Sequence, residues 1–382
     1  MNNDRTVKLI IGGDYLPTED DVNLFESEEI GKVFDKNILN LFENSDYSLT
    51  NLEGCFYDCD DDVIDKQGPS IRASLKSFSG YKKLGVKAAN LANNHSRDYG
   101  DKGLLSTIHL LENNGIEHFG AGHNINEAKK PLIANVCGYR IGFLGISEYE
   151  FMIATESEAG ANPFDELYTL DEIYNLKSKT DYVVVLYHGG KEYYRYPAPY
   201  VQKRCRRFID KGADIVLCQH SHCIGCAEDY ENGYILYGQG NFCFYKPYNE
   251  FTDSSLLVQI ELNTRKIELI PLIRKDTLIR VANQQEKERI LNDFNSRSEQ
   301  IKDPEFVRST YSQLSKEYEE SYDWWCTRRI GQILKKKGLK TFYPRLFAPQ
   351  KLYDVDMINM LRCEAHRDLY IQALTERNNL RK

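Results

Sequence analysis

A repeated alternation does most to limit what this chain can fold into. Short apolar runs lie at 7–13 (VKLIIGG), 47–53, 86–91, 139–146, 181–187, 213–218 and 233–237. Runs of that length, ending at glycine or polar residues, suit buried strands. Helical patterns sit between many of them, at 73–84, 102–114 and 199–211. Strands alternating with helices predict an α/β layering with parallel pairing. Later, LLVQIEL (256–262) and KIELIPLI (266–273) flank the polar turn NTR and predict an antiparallel hairpin. From about residue 280 the chain becomes strongly charged with helical periodicity, so 1–279 reads as one domain and 280–382 as a helical appendage.

Composition narrows the partners. With 49 basic against 57 acidic residues and a net charge of -8, the chain lacks the basic surplus that phosphate neutralisation needs, which argues against a nucleic-acid partner. No leader precedes the first apolar run and no run is long enough to span a bilayer, so a cytoplasmic protein without a transmembrane segment is expected. The ten cysteines are scattered along a long chain, which fits reduced thiols better than a disulfide framework.

Five segments place metal-preferring side chains just after an expected strand. They are Gly13-Asp14, Asn51-Leu52-Glu53-Gly54, Asn93-Asn94-His95, Tyr187-His188-Gly189-Gly190 and Gln219-His220-Ser221-His222. Strand ends in an α/β sheet open onto one crevice, so residues distant in sequence can converge there. Carboxylate oxygens with imidazole nitrogens suit Mn, Fe or Zn. Four of the segments have a plainer reading: Asp14 as a turn residue, Glu53 as a solvated carboxylate, Asn94 as a helix cap, His188 as a core histidine. The coincidence of all five favours a site. A rival is the string His220-x-His222-Cys223-x-x-Cys226 as a structural zinc site, though four ligands in seven residues converge awkwardly.

The series GGDYLP, NLEG, LANNHSRDYG, YHGGKEY, QHSH and YGQGNFCF, spread over about residues 6–275, resembles the bacterial capsule synthesis family associated with poly-gamma-glutamate. That family is related to calcineurin-like metallophosphoesterases. The resemblance implies a metallophosphoesterase-like four-layer α-β-β-α sandwich of two mixed sheets holding two divalent metal ions. By motif, Asp14 and His222 would bind one metal, Asn94, His188 and His220 the other, and Glu53 would bridge them. His95 would be the general acid, with Asp98 orienting it. Two departures from the phosphoesterase pattern stand out: Leu16 occupies the place of a histidine, and Glu53 that of an aspartate.

Arg72, Glu192 and Tyr193 are candidate substrate contacts: Arg72 for an anionic group, Glu192 as support for a ligand histidine, Tyr193 as a pocket wall. Asn241 is expected to hold the crevice loop. His109, His118, His123 and His366 read as surface or packing residues, as do Trp324-Trp325 and the lysines at 335–337. The expected function is a metal-dependent hydrolase acting on a phosphoester, acyl or amide bond in an anionic small molecule or polymer precursor. The alternative is a non-catalytic accessory protein of a capsule synthesis complex.

Overall fold

The structure is a computed structural model that describes residues 5–17, 22–26, 29–60, 62–244, 249–326 and 350–379. The tryptophan pair's side chains and the lysine run lie outside the described residues.

Two sheets carry the architecture. In the first, strands Lys8–Tyr15, Tyr47–Leu52, Ala88–Asn90 and Glu117–Phe119 run parallel. Beyond Lys8–Tyr15 the sheet turns antiparallel, through Ser254–Glu261, Lys266–Lys275 and Leu278–Val281. The second sheet has a parallel centre of Tyr139–Ser147, Tyr182–His188, Ile215–Gln219 and Gly233–Tyr237, with an antiparallel strand on each edge. The expected hairpin pairs in register from Ser254↔Ile273 to Glu261↔Lys266. The last strand, Leu278–Val281, runs across the point where the sequence turns helical; the first helix beyond it is Gln284–Gln300.

Alternation within each strand separates three apolar cores. Leu9 and Ile11 face the second sheet, where they meet Phe143, Val184, Leu186 and Leu217. Ile10 faces the other way, into a core with Phe25, Phe34, Phe42 and Phe56. On the far side, Val183, Val185 and Tyr187 pack with Phe208 and Ile173 of flanking helices, and with Ile301, Val307, Met360 and Leu369 of the C-terminal helices. Three cores between four layers make a mixed α-β-β-α sandwich. Among the described residues no helix is long and apolar enough to cross a membrane.

Helix Gln284–Gln300 opens with a capping box, in which Asn283 and Glu286 satisfy each other's backbone amides. It docks through Ile290 and Phe294 and donates from Arg297 to the Gly225 carbonyl at 2.8 Å. Helices Pro304–Cys326, Gln350–Arg362 and Glu364–Asn379 follow, and Tyr311 bonds Asp368 at 2.8 Å between the first and last.

One aromatic residue fastens the first core to the crevice. Phe242 stacks on Phe34 at 5.0 Å and on Phe42 at 5.5 Å, and its short strand Asn241–Cys243 pairs with the end of Lys8–Tyr15. Phe242→Ala is expected to destabilise the chain by about 3–5 kcal/mol, seen as a lower urea midpoint at unchanged slope.

Candidate metal centre

Strand register explains why the polar clusters meet. Asp14 pairs with Asn51 and with Asn241, Asn51 pairs with Asn90, and His188 pairs with both Ser147 and Gln219. Apart from Asn241, which opens its strand, these positions lie at the carboxyl ends of parallel strands, so Glu53, Asn94, His220 and His222 follow from neighbouring strand ends. Glycines make room. A Cβ on Gly13 would sit 2.2 Å from the Gly240 carbonyl, and one on Gly189 would sit 2.3 Å from the Glu148 side chain. His220 and His222 both have left-handed backbones, at φ 84° and 55°, a conformation that costs a non-glycine residue about 1–3 kcal/mol. That strain aims two imidazoles from one short segment at the same place.

The donors form two groups that share Glu53. One comprises Asp14, Glu53 and His222; the other comprises Glu53, His188 and His220. All five residues are buried. Asn94 joins the second group, its Oδ1 lying 2.9 Å from His188 Nε2. That nitrogen is also 3.1 Å from His220 Nδ1 and 3.7 Å from Glu53 Oε1. Ligands at about 2.0–2.2 Å from one cation stand roughly 3–3.5 Å from each other, so this spacing and the mixed oxygen–nitrogen chemistry fit a divalent ion.

Surrounding amides orient these donors. Asn51 donates to Asp14 Oδ1 at 2.8 Å, lies 3.3 Å from His188 Nδ1, and accepts from Asn90 at 2.9 Å. Asn241 Oδ1 lies 2.9 Å from His222 Nδ1, which directs Nε2 toward Glu53, 3.9 Å away. Burial works to raise the pKa of Asp14, but His222, 3.6 Å from its carboxylate, and the neighbouring His188 hold it well below the ordinary value. Burial pushes His188 far down and His220 down to about 3, so their imidazoles are neutral at pH 7 and have lone pairs to offer.

His95 lies beside this centre. Its Nδ1 is 2.7 Å from Asp98 Oδ2, and Lys66 reaches the same nitrogen at 3.1 Å while ion-pairing with Asp98. Burial lowers the His95 pKa; the Asp98 carboxylate opposes that and the Lys66 charge adds to it. His95, Asn94 and His220 share a cavity of about 360 Å³ with Lys66, Glu150, Lys191 and Glu192.

The remaining sequence candidates divide: Glu192 lines the cavity, Tyr193 lies against a donor histidine, and Arg72 falls elsewhere. Arg72 is engaged by the Cys59 carbonyl, by Asp60 at 2.6 Å and by the Tyr99 ring at 4.7 Å, and is not among the residues lining that cavity. The Tyr193 ring lies tilted at 37° against the His222 ring, 5.6 Å between centroids. Leu16 is turned into the first core against Gly54, so its position brings no donor to the Asp14 group. The metal-competent groups among the described residues contain no cysteine, and burial pushes the Cys223 thiol up to about 11. Sequence reasoning missed Lys66, Glu148 and Glu150, and named Asn51 only within its segment, without a role. Asn51 could have been found as a polar residue inside an otherwise apolar strand; Lys66, in an irregular loop, leaves no such trace. His366, read as packing, lines the cavity.

A model of the family described as "Bacterial capsule synthesis protein PGA_cap" matches residues 8–246. The chain belongs to this family. It is 32% identical over 241 residues to the capsule biosynthesis protein CapA of Bacillus anthracis, covering 60% of this chain and 58% of that one. It is 30% identical over 254 residues to the PGA biosynthesis protein CapA of Bacillus subtilis (strain 168), covering 62% and 66%. The chain thus spans less than two thirds of the length of each of these relatives. Among solved structures, a 5'-nucleotidase precursor from Thermus thermophilus gives a TM-score of 0.41 at 13% identity, over 76% of this chain and 59% of that one. The family match ends before the C-terminal helices.

The neutral buried histidines set the acid behaviour of the metal-free protein. An unfolded histidine titrates near 6.5, whereas folded His220 takes up its proton only near 3. Between these values the unfolded chain binds more protons, so the contribution is fully present above about pH 6.5 and is lost as pH falls. Without metal, stability is expected to drop by up to about 1.4 kcal/mol per pH unit for such a histidine. Urea midpoints at pH 7 and pH 5 check this, and His220→Asn is expected to reduce the drop.

Proposed function

We propose that this chain is a metal-dependent hydrolase of the capsule-synthesis family, acting on a phosphoester or a related acyl or amide bond of an anionic substrate. The observation that carries the reading is two buried donor groups sharing one carboxylate, beside a histidine already paired with an aspartate in a cavity. Asp14, Glu53 and His222 would hold one divalent ion, and Glu53, Asn94, His188 and His220 the other. When bound, such a pair polarises the attacked group and lets water attack at neutral pH.

The chain's own residues supply the rest. Asp98 fixes the His95 ring by accepting from Nδ1, which leaves Nε2 for the substrate. An anionic substrate arriving beside His95 raises its proton affinity, so the proton is taken up with the substrate and given to the leaving oxygen. Lys66 holds Asp98 in place and adds positive charge to the lining. The strained His220–His222 segment and the amides of Asn51 and Asn241 keep the ligands aimed before anything binds.

A second reading, a non-catalytic member of a capsule synthesis complex, is favoured by one observation. Leu16 turns into the core and leaves the Asp14 group with three donors. A relative in Mycobacterium tuberculosis, 27% identical over 218 residues, is described as a probable polyglutamine synthesis accessory protein.

The two readings part in one experiment. The purified chain is loaded with Mn, its metal is counted, and hydrolysis of an aryl phosphate is followed. The hydrolase reading expects about two ions per chain, and a loss of roughly 10²–10⁴ in turnover for His95→Ala at unchanged metal content. Absence of metal uptake and turnover leaves the accessory reading, whereas turnover indifferent to His95→Ala removes His95 as the acid.

A further inference from the structure

Building on the hydrolase reading, we propose that the C-terminal helices Gln350–Arg362 and Glu364–Asn379 form one wall of the reaction cavity. In that wall His366, with Lys191, seats a non-reacting carboxylate or phosphate of the substrate.

The cavity that contains Asn94, His95 and His220 is also lined by Asn359, Cys363, Ala365 and His366. These four come from the chain beyond residues 8–246, so the catalytic candidates and this wall belong to different parts of the chain. The wall is fixed by part-buried polar ties. Glu364 meets Arg204 at 2.6 Å, and Arg204 in turn bonds the Tyr187 hydroxyl at 2.6 Å and lies 3.9 Å above the Phe164 ring. Asn359 bonds Gln67, the neighbour of the lysine that holds Asp98. Met360 and Leu369 anchor the pair in the third core.

The lining suits an anion. Lys66 and Lys191 are both on it, and Lys191 is steadied by the Tyr318 ring at 4.7 Å. Burial and then the Lys191 charge push His366 down to about 4 against the opposing charge of Glu192, so its imidazole is neutral beside a cation. Of the two carboxyl groups on the lining, Glu150 is pushed up to about 8 by burial and then by Glu148. It therefore carries its proton at neutral pH and adds a donor rather than a charge. Glu192 remains as the one negative charge on the lining, against Lys191 and a Lys66 already paired with Asp98. A cation and a neutral donor on facing segments form a charge-assisted seat for an oxyanion.

Inorganic phosphate and glutarate, titrated calorimetrically into the full-length chain with and without Mn, test this. Lys191→Met and His366→Ala are each expected to weaken the better-bound anion about tenfold, with melting temperature and metal content unchanged, while Lys191→Arg retains binding. Whichever anion binds tighter names the class of group. The proposal is overturned if both variants bind like the parent, or if the parent binds neither anion. A parent that takes up no metal sinks the dinuclear reading alone, because the metal-free titrations still compare parent with variants.

Discussion

Everything at the crevice depends on the burial of two carboxylates, Asp14 and Glu53, at the meeting of two sheets. Charge removed from water must be answered by nearby opposite charge or by donors. Part of the answer comes from Asn51, which bonds Asp14, and part from histidines delivered by the opposite sheet. Because His188 and His220 are held neutral by their own burial, the cluster keeps a net demand for positive charge. That demand is one a divalent cation could meet.

The rest of the fold serves this arrangement. The three cores hold two sheets face to face, so that parallel strand ends from each arrive at one crevice. Glycines at 13 and 189 permit the close backbone approaches there, and left-handed turns at His220 and His222 bring two imidazoles from a single loop. Local strain of this kind survives only where surrounding packing over-determines it. Phe242, stacked on Phe34 and Phe42 one residue from Asn241, is part of that packing.

Much of this was legible in the sequence because its signals are local. Apolar runs marked the central strands, and a metal-preferring residue after a strand marked its end as a crevice position. What the sequence hid depends on contacts between distant segments. Lys66 comes from an irregular loop and meets His95 only through tertiary packing. His366 looks like any helical histidine until Glu364 and Arg204 dock its helix over the cavity. Arg72 shows the converse: its motif context suggested an anion contact, yet Cys59, Asp60 and Tyr99 engage its guanidinium. Edge strands such as Leu132–Val136 and Ala227–Tyr230 were missed because short, partly exposed strands lack a continuous apolar run.

The donor groups draw Asp14 and Glu53 from one sheet and His188, His220 and His222 from the other, which has a mechanical consequence. An ion held there would rivet the two sheets across their shared core. Such a rivet ties the cohesion of the sandwich to the surrounding ion concentration. By mass action, each tenfold rise in free ion above the dissociation constant adds about 1.4 kcal/mol to the folded state. The chain's resistance to unfolding would then vary with metal supply, before any substrate is turned over.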